Sequence, residues 1–208
     1  MGVSGEDEAE RARFGRGTER PEDLPPAGGP IAVDRTFAFV DLSGFTAFIE
    51  DEGVAAAVEM LALFRLGASE VTARRGVRVA KWLGDGAMVV GVQAGPTIAA
   101  VAELMARVSV NSRLQLRAGV SRGGVILFQG DDYIGRAVNI AARLCDVAQP
   151  GEMLATRRVA AEAPDWVCRL DTRSVELRGV GQVDGVCALG LADDVTLPPV
   201  PVAEISPT

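Results

Sequence analysis

Three short stretches place residue types at spacings that suit phosphoryl chemistry. The first, Phe39-Val40-Asp41-Leu42-Ser43-Gly44-Phe45-Thr46, ends an apolar run on an acid and passes directly into a helix-like pattern. Main-chain N–H groups at a helix start bind phosphate oxygens, and a glycine there lets a ligand approach the backbone. Gly44, Phe45 and Thr46 are the candidate substrate-binding positions of this stretch. The second, Lys81-Trp82-Leu83-Gly84-Asp85-Gly86, puts another acid at a Gly-marked turn between two apolar runs. With Asp85 at a hairpin tip beside Asp41, the two carboxylates suit Mg²⁺, which prefers a few carboxylates plus substrate phosphates to a full protein cage. The third runs from Gly130 to Leu144 and carries Asp132, Asn139 and Arg143. Asn139 and Arg143 are one helical turn apart and share a face. Singly, each stretch has an ordinary explanation: a capped helix start, a hairpin turn, a polar stripe on a surface helix. Together they describe a site.

The elements that must position these residues follow from periodicity. Residues 36–40 are a short buried strand ending at Asp41, and a helical pattern follows over 44–74, broken near Glu52-Gly53. Residues 77–83 and 87–92 read as two strands, with Asp85-Gly86 as the hairpin signal between them. Residues 97–108 are helical, and 114–120 with 125–128 form a second strand pair around Gly123-Gly124. Asp132 lies on the loop into the next helix, which begins after Gly135 and turns Ile140, Leu144 and Val147 inward. Shorter strands follow near Met153 and over 166–170, 174–177 and 186–189. This order predicts an α+β protein with a ferredoxin-like βαββαβ core and additional C-terminal strands. The Pro- and Gly-rich segment 1–30 reads as a disordered arm, 31–192 as the folded domain and 193–208 as a flexible tail.

Composition narrows the function classes. A length of 208 residues fits one domain with tails. The net charge of −7, from 21 basic and 28 acidic residues, argues against nucleic-acid and anionic-membrane partners, which want a basic surface. A nucleotide substrate is still compatible, because a metal ion offsets its phosphate charge. The apolar runs are too short for a membrane-spanning helix. The acidic, polar start is unlike a signal peptide, and Cys145, Cys168 and Cys187 form no CxxC pair, so a reducing cytoplasm is the expected location. The chain has 0 histidines, which leaves acid–base work to carboxylates and water.

Asp41, Lys81, Asp85, Asp132, Asn139 and Arg143, in this order on a βαββαβ frame, resemble the class III nucleotidyl cyclases, the catalytic domains of adenylate and guanylate cyclases. The resemblance covers residues 37–189 and includes Arg117-Ala118-Gly119-Val120-Ser121-Arg122-Gly123-Gly124, similar to the family's strand pair before the active-site helix. It implies the class III cyclase fold, with Asp41 and Asp85 as ligands of a pair of Mg²⁺ or Mn²⁺ ions per site. Lys81 and Asp132 are then the base-reading pair, and Asn139 and Arg143 the catalytic pair at the transition state. Late in the domain, Leu177-Arg178-Gly179-Val180-Gly181 resembles a segment with basic phosphate contacts. Arg178 is either such a contact or a plain strand-end arginine, and Val180 stands where some relatives carry a second base.

The chemistry of the bases supports the adenylate type. Adenine offers an acceptor at N1 and a donor amino group at N6, which a lysine and an aspartate complement; guanine offers the reverse. ATP is thus the expected substrate, with the 3′-oxygen attacking the α-phosphorus to give 3′,5′-cyclic AMP and pyrophosphate. The general base is open among Asp41, a water and a substrate phosphate. The family's geometry implies a head-to-tail homodimer with shared sites, Asp41 and Asp85 coming from one chain and Lys81, Asp132, Asn139 and Arg143 from the other. The alternatives are a catalytically silent nucleotide-binding or interaction module, and a guanylate cyclase.

Overall fold

The computed structural model describes residues 31–128 and 132–192, together with Val195. The expected arm over 1–30, most of the expected tail, and Gly130 and Asp131 of the third stretch lie outside the described residues. The chain runs β1 (Ile31–Ser43), α1 (Phe45–Arg74), β2 (Arg78–Leu83), β3 (Gly86–Gly91), α2 (Ala94–Asn111), β4 (Gln115–Phe128), β5 (Asp132–Ile134), α3 (Arg136–Val147), β6 (Met153–Ala155), α4 (Arg157–Ala160), β7 (Val167–Leu177) and β8 (Gly181–Leu191). The sheet order is β2-β3-β1-β4-β6-β8-β7, with β5 paired to β4. Its first half, β2-β3-β1-β4, is the split βαβ order of a ferredoxin-like core. β6 joins parallel to β4, and β8 and β7 extend the sheet antiparallel. The α+β class, the core and the additional C-terminal strands are as the sequence predicts.

The alternation of β1 explains the layering. Ala38, Val40 and Leu42 point to one face and are buried with Phe64, Ala68, Ile98 and Val101 under α1 and α2. Phe37 and Phe39 point to the other, against Met88, Val90, Ala137 and Ala141, where α3 packs. A fully buried Leu, Val or Phe side chain contributes about 1.5–3 kcal/mol, so both faces of the central strands are firmly covered. Asp41 follows the parity of Phe37 and Phe39 and so opens onto the α3 face.

Five local expectations need correction or refinement. The break in α1 is at Gly53, whose φ of 85° and ψ of 167° are not helical. The two-residue hairpin loop is Gly84-Asp85; Gly86 already pairs with Leu83 in the ladder. Residues 115–128 form one continuous strand in place of a pair, because Gly123 and Gly124 stay extended and do not turn. Gly123 instead admits Ala137 of α3, and β5 supplies the returning strand, so Asp132 sits on a strand and not in a loop. Val147 is 37% exposed; the inward face of α3 is Ala137, Ala141, Leu144 and Cys145.

Candidate active site

Asp41 and Asp85 are brought together by strand register. Asp41 pairs with Gly86, and the Leu42 N–H donates to the Asp85 carbonyl at 3.4 Å. The approach is close enough that a Cβ on Gly86 would lie 2.6 Å from the Val40 carbonyl oxygen and 3.1 Å from Asp41 Oδ1. The carboxyl of Asp85 is held above its ordinary value of 3.8 by burial and by the neighbouring Asp41 charge, against a main-chain hydrogen bond and Arg117. A carboxylate held beside another negative charge creates a demand for a cation.

Within the protein that cation is Arg117 of β4. Its Nε and Nη2 donate to Asp41 Oδ2 at 2.9 and 2.6 Å, and its Nη1 donates to the Asp146 carbonyl at 3.2 Å. The bonds to Asp41 raise the guanidinium's own pKa further. Arg117 was no part of the predicted site. The signal that points to it is an arginine alternating with buried Leu116 and Ala118 on a strand next to that of Asp41.

Lys81 reaches the same face through a bulge. The β2–β3 register shifts between Val79 and Lys81. Arg78 opposes Val90 before the shift, and Lys81 opposes Met88 after it, so both face the α3 side. Without the extra residue Lys81 would share the face of Val79 and Trp82, which pack into the opposite core. Re-aiming one side chain in this way is a characteristic use of a bulge. Lys81 Nζ forms an ion pair with Asp132 Oδ1 across to β5. Tyr133 beside Asp132 anchors β5 over the sheet, edge-on to Phe37 at 5.2 Å and accepting from Arg78 at 2.7 Å.

Asn139 and Arg143 stand on the exposed face of α3. The helix sits directly on β4 at Gly119, where a Cβ would come within 2.2 Å of the Ala141 carbonyl and the Cys145 nitrogen. Arg143 Nη1 donates to Asp146 Oδ2 at 2.7 Å, so Asp146 touches Arg117 through its carbonyl and Arg143 through its side chain. Among the described residues Asn139 and Arg143 make no hydrogen bond or ion pair with Asp41, Asp85, Lys81 or Asp132.

The remaining predicted positions lie at two turns. Gly44 caps α1 in the left-handed region at φ 80°, a conformation that favours glycine, and no side chain caps the helix. Its first N–H groups are therefore available to an anion. Phe45 is partly buried, stacks on Phe48 at 6.4 Å and packs against the core, while Thr46 is exposed. Arg178 is exposed in the β7–β8 turn and has no hydrogen-bond or ion-pair partner among the described residues. Its neighbours Leu177 and Val180 pack with Ile140 and Leu144 of α3.

The donor set fits a divalent metal that shares its coordination with phosphates. Among the described residues no group of three or more His, Cys, Asp or Glu could form an all-protein cage. Asp41 and Asp85 supply two carboxylates, and Ser43 Oγ, two residues on from Asp41, is buried with no hydrogen-bond partner among the described residues. This suits Mg²⁺ or Mn²⁺ completed by a polyphosphate substrate.

The fold is shared with known catalytic domains. The adenylyl cyclase CyaB from P. aeruginosa superposes with a TM-score of 0.68 at 23% identity, over 80% of this chain and 99% of that one. The guanylyl cyclase Cya2 gives 0.65 at 21% identity, over 81% and 98%. The chain thus has the fold of class III nucleotidyl cyclase catalytic domains, as the sequence resemblance implied. In sequence, a pH-sensitive adenylate cyclase of Mycobacterium tuberculosis is 34% identical over 147 residues, 67% of this chain and 36% of that protein. The chain spans about a third of the length of the curated relatives it matches, 34% for an uncharacterized mycobacterial protein and 36% for that cyclase. No protein-family model matches. Among the described residues no helix is long and apolar enough to cross a membrane.

Proposed function

We propose that residues 31–192 are the catalytic domain of an adenylate cyclase, which converts ATP to 3′,5′-cyclic AMP and pyrophosphate at two shared sites of a homodimer. The observation that carries this reading is the Lys81–Asp132 pair on the face onto which Asp41 opens. An ammonium donor beside a carboxylate acceptor matches adenine N1 and N6 and mismatches guanine, whose buried polar edge would face like groups. The bulge that brings Lys81 to this face has no other evident use in the core.

In this reading Asp41 and Asp85 hold Mg²⁺ or Mn²⁺ together with the triphosphate. When bound, the metal pair lowers the pKa of the ribose 3′-hydroxyl and offsets phosphate charge. Asn139 holds the ribose and with it the angle of attack on the α-phosphorus. Arg143 leaves Asp146 to neutralise charge on the α-phosphoryl oxygens as the 3′-oxygen bonds and pyrophosphate departs. The uncapped start of α1 at Gly44, Phe45 and Thr46 receives phosphate oxygens, and Arg178 is a further phosphate contact.

The dimer is supported by what one copy lacks. Among the described residues Asn139 and Arg143 make no hydrogen bond or ion pair with their own Asp41 and Asp85, and both are exposed on α3. Beside Asp132, the β4–β5 arm exposes Ile126 (42%), Phe128 (45%) and Ile134 (57%), an apolar patch suited to a second copy. Three unpaired cysteines agree with a cytoplasmic location.

The test is product analysis of the purified chain with Mn²⁺–ATP and, separately, Mn²⁺–GTP. The expected result is cyclic AMP with ATP strongly preferred. Cyclic GTP as main product overturns the base assignment, and neither product at dimer-forming concentrations overturns the activity.

A further inference from the structure

We propose that Arg117 is a built-in counter-ion of the metal carboxylates, which a divalent metal must displace from Asp41 before the site can be loaded. The inference rests on the reading of Asp41 as a metal ligand, and concerns what occupies that ligand beforehand.

Four observations support it. Asp41 Oδ1 is turned toward the β3 backbone at Gly86, which leaves Oδ2 as the outward oxygen, and both strong bonds from Arg117 go to Oδ2. The guanidinium and the metal therefore compete for one atom. Arginine is protonated throughout the accessible pH range, so Arg117 can leave Asp41 only by being displaced. Both side chains retain some exposure, 32% for Arg117 and 27% for Asp41, so the pair can open without unpacking the core. Finally, a second berth exists. Arg117 Nη1 already bonds the Asp146 carbonyl in the last turn of α3, where exposed carbonyls and the helix dipole favour a cation.

The pair then acts as a lock on premature metal binding. Without nucleotide, a metal ion must displace a bidentate guanidinium and leave its charge nearby. With nucleotide, the phosphates supply ligands and a negative partner for the freed arginine, so loading is favoured when substrate and metal arrive together.

The experiment is a Mn²⁺ titration of the nucleotide-free full chain, read by the loss of the free Mn²⁺ EPR signal. Arg117→Gln is expected to bind Mn²⁺ on the order of tenfold more tightly than the wild type, because a competing charge has been removed. Unchanged or weaker binding overturns the inference. Asp41→Asn should abolish this binding; if it binds like the wild type, Asp41 is not the ligand and the metal assignment falls as well. The unmodified protein provides a second readout. The Arg117 Nε–H resonance, identified by its absence from Arg117→Lys, should move on saturation with Mg²⁺. A resonance that stays in place while Mg²⁺ binds overturns the inference. Neither readout depends on turnover, so a chain that makes no cyclic nucleotide can still pass or fail this test.

Discussion

Among the described residues Arg143 is held only by Asp146, with side chains 46% and 55% exposed, so its cost to stability and its value to chemistry can be separated. Arg143→Ala should lower turnover by on the order of 10²–10³, the usual loss for an electrostatic stabiliser at a transition state. Stability should change by no more than about 0.5 kcal/mol, because an exposed ion pair contributes little. A steady-state assay with a parallel thermal melt checks both, and a variant of near-normal turnover contradicts the assignment. Cys145, beneath the same helix, makes a separate prediction. Burial first, and the Asp41 charge second, push its thiol up to about 12 from an ordinary 9.0. The sign follows from linkage: a raised folded pKa favours the protonated fold, so this contribution is intact below 9.0 and lost as pH rises toward 12. At pH 8 Cys145 should resist iodoacetamide in the folded protein and react once it is unfolded, as followed by mass spectrometry. The six polar residues of the proposed site can be named from the sequence because their spacing survives without coordinates. Arg117 was not, since its partnership with Asp41 depends on which strands are neighbours and which face each residue takes.

Elements place these residues through a few close approaches. α3 sits on β4 at Gly119, and a methyl group there would meet two main-chain atoms at 2.2 Å. Gly119→Ala should therefore force α3 outward and destabilise the fold by about 1–3 kcal/mol, seen as a fall of several degrees in Tm. An unchanged Tm would mean that the helix is not seated as described. Hydrophobic periodicity was enough to find β1, β2, β3 and the three long helices, including the break in α1 at Gly53, but it missed β5 and the short α4 and split β7 into two strands. It misread Gly123-Gly124 as a turn, because glycine serves close packing as readily as reversal and one sequence does not tell them apart. The bulge before Lys81 was equally hidden. Strict alternation assigns Lys81 to the face of Val79, and only the ladder to β3 reveals the shift.

At the scale of the molecule, the β2-β3-β1-β4 order puts the Asp41–Asp85 corner and the Lys81–Asp132 pair on one face of one sheet, while Asn139 and Arg143 lie on the exposed face of α3. Read as an enzyme, a single copy holds two unlike half-sites, and the functional unit is the contact between two copies. The proposed dimer comes only from the family resemblance, since symmetry between chains leaves no periodic mark on a sequence. The most direct test mixes two variants, Lys81→Ala and Asp41→Ala, each expected to be inactive alone. In a mixed dimer one site takes Asp41 and Asp85 from the Lys81→Ala copy and Lys81, Asp132, Asn139 and Arg143 from the Asp41→Ala copy, and is complete. Cyclic AMP formation should reappear on mixing and follow the population of mixed dimers. An active wild type whose two variants show no recovery at any ratio would contradict shared sites.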